Sequence, residues 1–227
     1  MEIAEVYAEG RERICALITG LGEGDAGRVV PTCPGWTVRD VVAHVTGVCA
    51  DVLSGNLNGV ATEAWTDAQV RARRGRTIGE VVEEWTEVGP QVEAVANSFP
   101  GRAGEQWIAD LTAHEHDIRT AVARPGARDS AGVAIGLGYA VTEGLNASIT
   151  ERRLPPLEVR AGSDEWLVGA GEPSGMVQTS AFELFRALTG RRSATQIRAF
   201  HWTVAADPYV AAFQFGPFTT STSDIEE

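Results

Sequence analysis

The chain has 227 residues, enough for one large domain or one medium and one small. Hydrophobic residues make up 44% and charged residues 22%, so a real core can form. The formal net charge of -12 argues against duplex nucleic acid and anionic membrane surfaces, because both reward positive charge.

Residues Met1–Ala16 carry four glutamates and two arginines, which reads as an amphipathic helix and not a secretory leader. No run approaches the roughly 18 consecutive apolar residues of a membrane span. The three cysteines, Cys15, Cys33 and Cys49, are odd in number and lack a C-x-x-C spacing. A reducing cytoplasm is expected, with all three as small core or boundary residues.

A first helix is expected from about Glu2 to Leu21, closed by a glycine-rich stretch. Pro31 and Pro34 then forbid a helix. Thr37 is a natural N-cap, with Asp40 as its capping-box partner, for a second helix over Val38–Ser54. A short helical piece begins near Trp65, with Thr66 or Asp67 as cap. Arg71, Arg73, Arg74 and Arg76 follow it, either a solvated segment or an anion-gathering rim near a pocket. A third long helix covers about Thr77–Phe99, where Pro90 is expected to kink or divide it.

The next helix, about Glu105–Ala123, carries the polar groups of interest. At roughly 100° per residue, Asp110, His114 and Asp117 fall within about 60° of one another, beside the apolar Trp107, Leu111 and Ile118. His116 points elsewhere. An alanine- and glycine-rich helix follows over about Ser130–Thr150. Composition changes at Arg152-Arg-Leu-Pro-Pro, which places a boundary between domains 1–152 and 153–227. Beyond it, Leu157–Ala161 and Glu165–Val168 read as a hairpin and Gly175–Thr179 as a further strand. Ser180 and Glu183 open a helix that Gly190 closes, and another is expected over Ala194–Val204. The tail Thr219–Glu227 reads as frayed. The fold class expected is α+β, a four-helix bundle followed by a small α/β domain.

Two imidazoles and one carboxylate suit zinc and leave a position open. His44 and the Asp110/His114 pair can supply them if their helices are neighbours, with Asp117 in support or capping a nearby backbone. Spacing alone does not make the helices neighbours, and a histidine at a core edge is commonly just hydrogen-bonded in place. No G-x-S-x-G, Walker A or dinucleotide fingerprint is present. His201 reads as structural.

Three segments carry a family resemblance. Pro31-Thr-Cys-Pro-Gly-Trp-Thr-Val-Arg-Asp-Val-Val-Ala-His44 resembles the opening of the mycothiol-dependent maleylpyruvate isomerase family, within the DinB-like metalloenzyme superfamily. Asp110-Leu-Thr-Ala-His-Glu-His-Asp-Ile-Arg119 is similar to its second metal motif. Phe182-Glu-Leu-Phe-Arg-Ala-Leu-Thr-Gly-Arg-Arg-Ser193 resembles the motif of its C-terminal domain. Where the studied isomerases have glutamate, this chain has the shorter Asp110.

The resemblance implies a DinB-like, up-and-down bundle that binds a divalent metal, zinc by its donor set, through His44, Asp110 and His114. It implies mycothiol as thiol cosubstrate. A metal-bound thiol would be deprotonated and add to an activated C=C bond, allowing rotation and release, or would transfer to an electrophile. The expectation is therefore an isomerase or S-transferase, with a non-catalytic metal- or small-molecule-binding member of the superfamily as the alternative. Arg186 and Arg191 are candidates to hold the thiol or an anionic or electrophilic substrate, and so is the Arg71–Arg76 cluster. A cytoplasmic monomer or homodimer is expected.

Overall fold

The structure is a computed structural model that describes residues 2–227. It divides into two compact units, one running to Gly126 and also taking in Glu227, the other spanning Ala127–Glu226.

The first unit contains α1 (Ile3–Thr19), a short α2 (Glu23–Ala26), α3 (Val38–Ser54), α4 (Glu63–Arg73), α5 (Ile78–Ala96) and α6 (Ala103–Ala121). Helices α1, α3, α5 and α6 form a bundle in which each touches two others: α1 packs on α5 and α6, and α3 packs on the same two. Helix α4 lies against α3. The apolar stripes meet in a core that includes Tyr7, Ile14, Val41, Val45, Trp85, Trp107 and Leu111. Trp85 is fully buried, and its indole nitrogen donates to the Tyr7 hydroxyl at 3.3 Å. Removing a side chain of that size would cost about 3–5 kcal/mol.

Helix α3 starts where Thr37 caps it, with reciprocal bonds between Thr37 and Asp40. Helix α4 begins earlier than expected, because Thr62 and not Thr66 or Asp67 is its cap. Helix α5 runs through Pro90 as one element. Thr77 and Glu80 form its capping box, and buried positions recur on both sides of the proline. Packing on α1 and α3 outweighs the missing donor.

The second unit contains α7 (Ala131–Tyr139), a π-helical turn (Ala140–Leu145), α8 (Asn146–Glu151), strands β1 (Leu157–Ala161), β2 (Asp164–Val168) and β3 (Gly175–Thr179), then α9 (Ala181–Leu188), α10 (Ala194–Arg198), β4 (His201–Trp202), α11 (Asp207–Val210) and a 3₁₀ turn (Ala211–Phe213). The sheet order is β2-β1-β3-β4, with β1 parallel to β3 and the other two pairings antiparallel. Leu157, Val159 and Ala161 alternate inward on β1. These elements make the protein α+β.

The compact units divide after Gly126, upstream of the boundary expected at Arg152, and α7 and the π turn pack on α9. Two expectations change here. The helix expected over Ala194–Val204 ends at Arg198, since His201 and Trp202 pair with β3. The expected frayed tail is tied down: Asp224 accepts from the Ser193 hydroxyl, the Gln196 amide donates to the Ile225 carbonyl at 2.8 Å, and Ile225 is buried.

Candidate metal centre

His44 sits in the second turn of α3, and Asp110 and His114 one turn apart on α6. Because α3 and α6 are neighbours in the bundle, the three side chains converge. Nε2 of His44 lies 3.4 Å from Oδ2 of Asp110, and Nε2 of His114 lies 3.5 Å from Oδ1 of the same carboxylate. One donor atom from each residue lies within 4.8 Å of the others. The imidazoles are 6% and 9% exposed, whereas the Asp110 side chain is 38% exposed, so the cluster opens on its carboxylate side.

The other imidazole nitrogens are already engaged. Nδ1 of His44 donates to the side-chain oxygen of Gln69 at 2.7 Å, and the Gln69 amide donates to Asp51 at 2.7 Å. Nδ1 of His114 lies 3.0 Å from Oδ2 of Asp117. Each histidine therefore has Nδ1 held by a partner and Nε2 facing Asp110, the arrangement that fixes tautomer and ring orientation around a metal. Four-coordinate zinc with ligands near 2.0–2.1 Å has donor-to-donor edges of about 3.3 Å. Each imidazole Nε2 lies near that edge length from a different oxygen of the Asp110 carboxylate.

Asp117 is fully buried and receives three side chains. Besides His114, the Thr32 hydroxyl donates to Oδ1 at 2.7 Å and the Cys33 thiol to Oδ2 at 3.3 Å. Both come from the loop before α3. Gly35 at φ +93° and a bond from the Val30 amide to the Trp36 carbonyl at 2.9 Å fold that loop back on itself. It delivers Trp36 against the centre, 5.4 Å from the His44 ring and 6.0 Å from the His114 ring between centroids. Cys33, expected as a packing residue, forms a second metal-capable group with His114 and Asp117.

Neighbouring α6 residues serve the frame. Glu115 is fully buried between Arg13, at 2.8 Å, and Arg119, at 2.8 Å. His116 is buried and belongs to neither metal-capable group. Arg186 and Arg191 lie in the second unit, both buried, and Arg191 donates to the Thr189 carbonyl. In the arginine cluster, Arg73 and Arg76 both bind Glu84. Gln69, Asp51 and Trp36 were missed as site residues. The local sign was present for Gln69 alone, which lies four residues after the buried Trp65 and four before the buried Arg73.

Fold and site together define an α+β protein whose helical bundle carries a His/His/Asp cluster able to hold a metal ion. The family model for the mycothiol maleylpyruvate isomerase N-terminal domain matches residues 7–130, more than half of the chain, and the chain belongs to that family. A crystal structure of the mycothiol-dependent maleylpyruvate isomerase is similar in fold, with a TM-score of 0.61 over 89% of this chain and 92% of that one at 10% identity. A mutant of that enzyme with a histidine replaced by alanine gives 0.59 at 9% identity over the same shares. No curated protein sequence matches the chain. Among the described residues no helix is long and apolar enough to cross a membrane.

Proposed function

We propose that the protein is a metal- and thiol-dependent enzyme of the isomerase or S-transferase kind, with zinc held by His44, Asp110 and His114 and mycothiol as the thiol. The observation that carries this reading is the convergence of two Nε2 atoms on one carboxylate within the stretch matched by the family model. Bound zinc would lower the pKa of a coordinating thiol and so supply a thiolate near neutral pH.

The rest of the task falls to the chain. Gln69 and Asp117 hold the two rings with Nε2 turned to Asp110. Trp36 covers the rings on the loop side and shields them from water. The exposed flank of Asp110 leaves the approach for thiol and electrophile. The same activated thiol serves either addition and release across an activated double bond or transfer to an electrophile. Such chemistry on small metabolites suits the cytoplasm.

Zinc content and thiol response test the reading. Protein purified without chelator and reconstituted with zinc should hold about one zinc per chain, as in other sites with three protein ligands. His44→Ala and His114→Ala should each lose it. Mycothiol should then raise the Tm of the zinc form, because a ligand at 100 times its Kd adds ~2.7 kcal/mol. Absence of zinc after reconstitution refutes the metal assignment. Zinc without any response to mycothiol would favour a non-catalytic metal-binding member of the superfamily.

A further inference from the structure

Two donors meet on one carboxylate oxygen beneath the centre. Oδ2 of Asp117 lies 3.0 Å from Nδ1 of His114 and accepts from the Cys33 thiol at 3.3 Å. Its other oxygen, Oδ1, is held by the Thr32 hydroxyl at 2.7 Å. One sulfur, one imidazole nitrogen and one carboxylate oxygen therefore gather within 4.8 Å of one another. We propose that Cys33, His114 and Asp117 bind a thiophilic divalent metal ion, and that this site and the His44/Asp110/His114 centre fill one at a time because they share His114.

Donor chemistry separates the two sites. The centre offers two imidazoles and a carboxylate, whereas here a sulfur stands in place of one nitrogen, and soft ligands select softer ions. Asp117 and His114 are buried and Cys33 is half-buried, so the ion enters past the cysteine. An ion held by sulfur at about 2.3 Å and by nitrogen and oxygen at about 2.0–2.2 Å has donor edges of about 3.4–3.6 Å. Those edges are slightly wider than the contacts found. A small rotation about the Cα–Cβ bond of Cys33 opens them while its backbone stays bonded to Val30 at 3.1 Å and Trp36 at 3.0 Å. On binding, the ion displaces the thiol proton to solvent. Thiolate and carboxylate then match its two positive charges, which a buried ion requires. Among the described residues, Cys15 and Cys49 belong to no such group.

The sharing follows from the imidazole itself. A neutral ring has one lone pair. With its Nδ1 proton on Asp117, His114 offers that pair on Nε2, toward Asp110. An ion beside Cys33 needs the pair on Nδ1. The ring proton then resides on Nε2, and the centre loses a ligand.

The probe is cadmium, whose thiolate complexes absorb in the ultraviolet. It is titrated into the full chain with a phosphine reductant, and with citrate to strip weakly held ions. Wild type should saturate at one cadmium per chain and show the thiolate-to-cadmium charge-transfer band. Cys33→Ser should lose the band, whereas Cys15→Ser and Cys49→Ser should keep it. His44→Ala, which breaks the centre alone, should keep both the band and the single cadmium. Cadmium bound without the band overturns the proposal, as does a band that survives in Cys33→Ser. Two cadmium ions per chain with the full band overturn the sharing. Should Cys33→Ser fail to fold, the wild type decides: cadmium must slow iodoacetamide labelling of Cys33, read by peptide mass, and leave that of Cys15 unchanged. Unslowed labelling of Cys33 overturns the site. Zinc content is read separately, so a chain that holds no zinc refutes the centre while the cadmium band still decides this site.

Discussion

Nδ1 of His44 lies 2.7 Å from the side-chain oxygen of Gln69, a buried residue on a different helix. An amide oxygen only accepts, so His44 carries its proton on Nδ1 and presents the lone pair of Nε2 toward Asp110. Asp51 holds the Gln69 amide in turn. Gln69→Ala should weaken zinc binding about 10–100-fold, the range for partners that orient a metal ligand. Gln69→Glu keeps an acceptor for His44 but sets a second carboxylate against Asp51, so it should recover only part of the affinity. Competition with a chromogenic chelator measures both, and unchanged affinity in Gln69→Ala would show that His44 needs no such support.

The contact between α3 and α4 makes Gly47→Ala informative. Within a helix this change ordinarily stabilises by about 1 kcal/mol. Here the new methyl would sit 2.5 Å from Cβ of Gln69 and 2.9 Å from Nη1 of Arg73. Helix α4 must then shift, taking Gln69 away from His44. The expected outcome is a lower Tm together with reduced zinc affinity, read by thermal unfolding and the same chelator competition. A rise in Tm would mean that α4 has room to yield.

Charge and position can be separated on α6. Asp110→Asn keeps the size and removes the charge, and it should lower zinc affinity by at least about tenfold, the effect of losing one charge-assisted bond. His116→Ala should leave zinc content at the wild-type level while lowering stability by ~0.5–3 kcal/mol, as for a truncated buried side chain. Elemental analysis and denaturant titration distinguish the two. Loss of zinc from His116→Ala would reassign the centre.

Tyr7 and Cys49 set an alkaline limit in the bundle core. Burial pushes the Cys49 thiol up to about 11 from an ordinary value of 9.0, although its hydrogen bond with Tyr7 acts the other way. Burial also raises the Tyr7 hydroxyl well above its usual value, helped by the nearby Cys49. The folded state thus retains protons that the unfolded chain has released. The Cys49 contribution is fully present below about pH 9 and is lost as pH rises toward 11, by roughly 2–3 kcal/mol. Stability measured across that range should fall, and Cys49→Ala should flatten part of the decline. An identical slope in the variant would assign the effect to Tyr7.

Elements with local punctuation were legible in the sequence. Helix α3 can be read to the residue because Thr37 and Asp40 cap it and Gly55 ends it at φ +74°. The β1–β2 hairpin follows from alternation and a turn glycine. The π turn at Ala140–Leu145 was hidden, since it continues an apolar helical run, and the Phe215 ring that fills the place of a Gly144 side chain is distant in sequence. Strand β4 was misread as helix because pairing with β3 overrides a local apolar pattern. In the centre, Asp110 and His114 show their spacing on one helix. The bonds from His44 to Gln69 and from Thr32 to Asp117 join separate elements and leave no periodic trace.

The triple acceptance by Asp117 bears on how the centre can be moved or redesigned. Thr32, Cys33 and His114 all converge on that one carboxylate. A graft of α3 and α6 alone into another bundle would bury Asp117 with two of its donors gone, an uncompensated cost at the residue that orients the His114 imidazole. The smallest transplantable unit is therefore both helices together with the loop that folds back before α3 and the helix that carries Gln69.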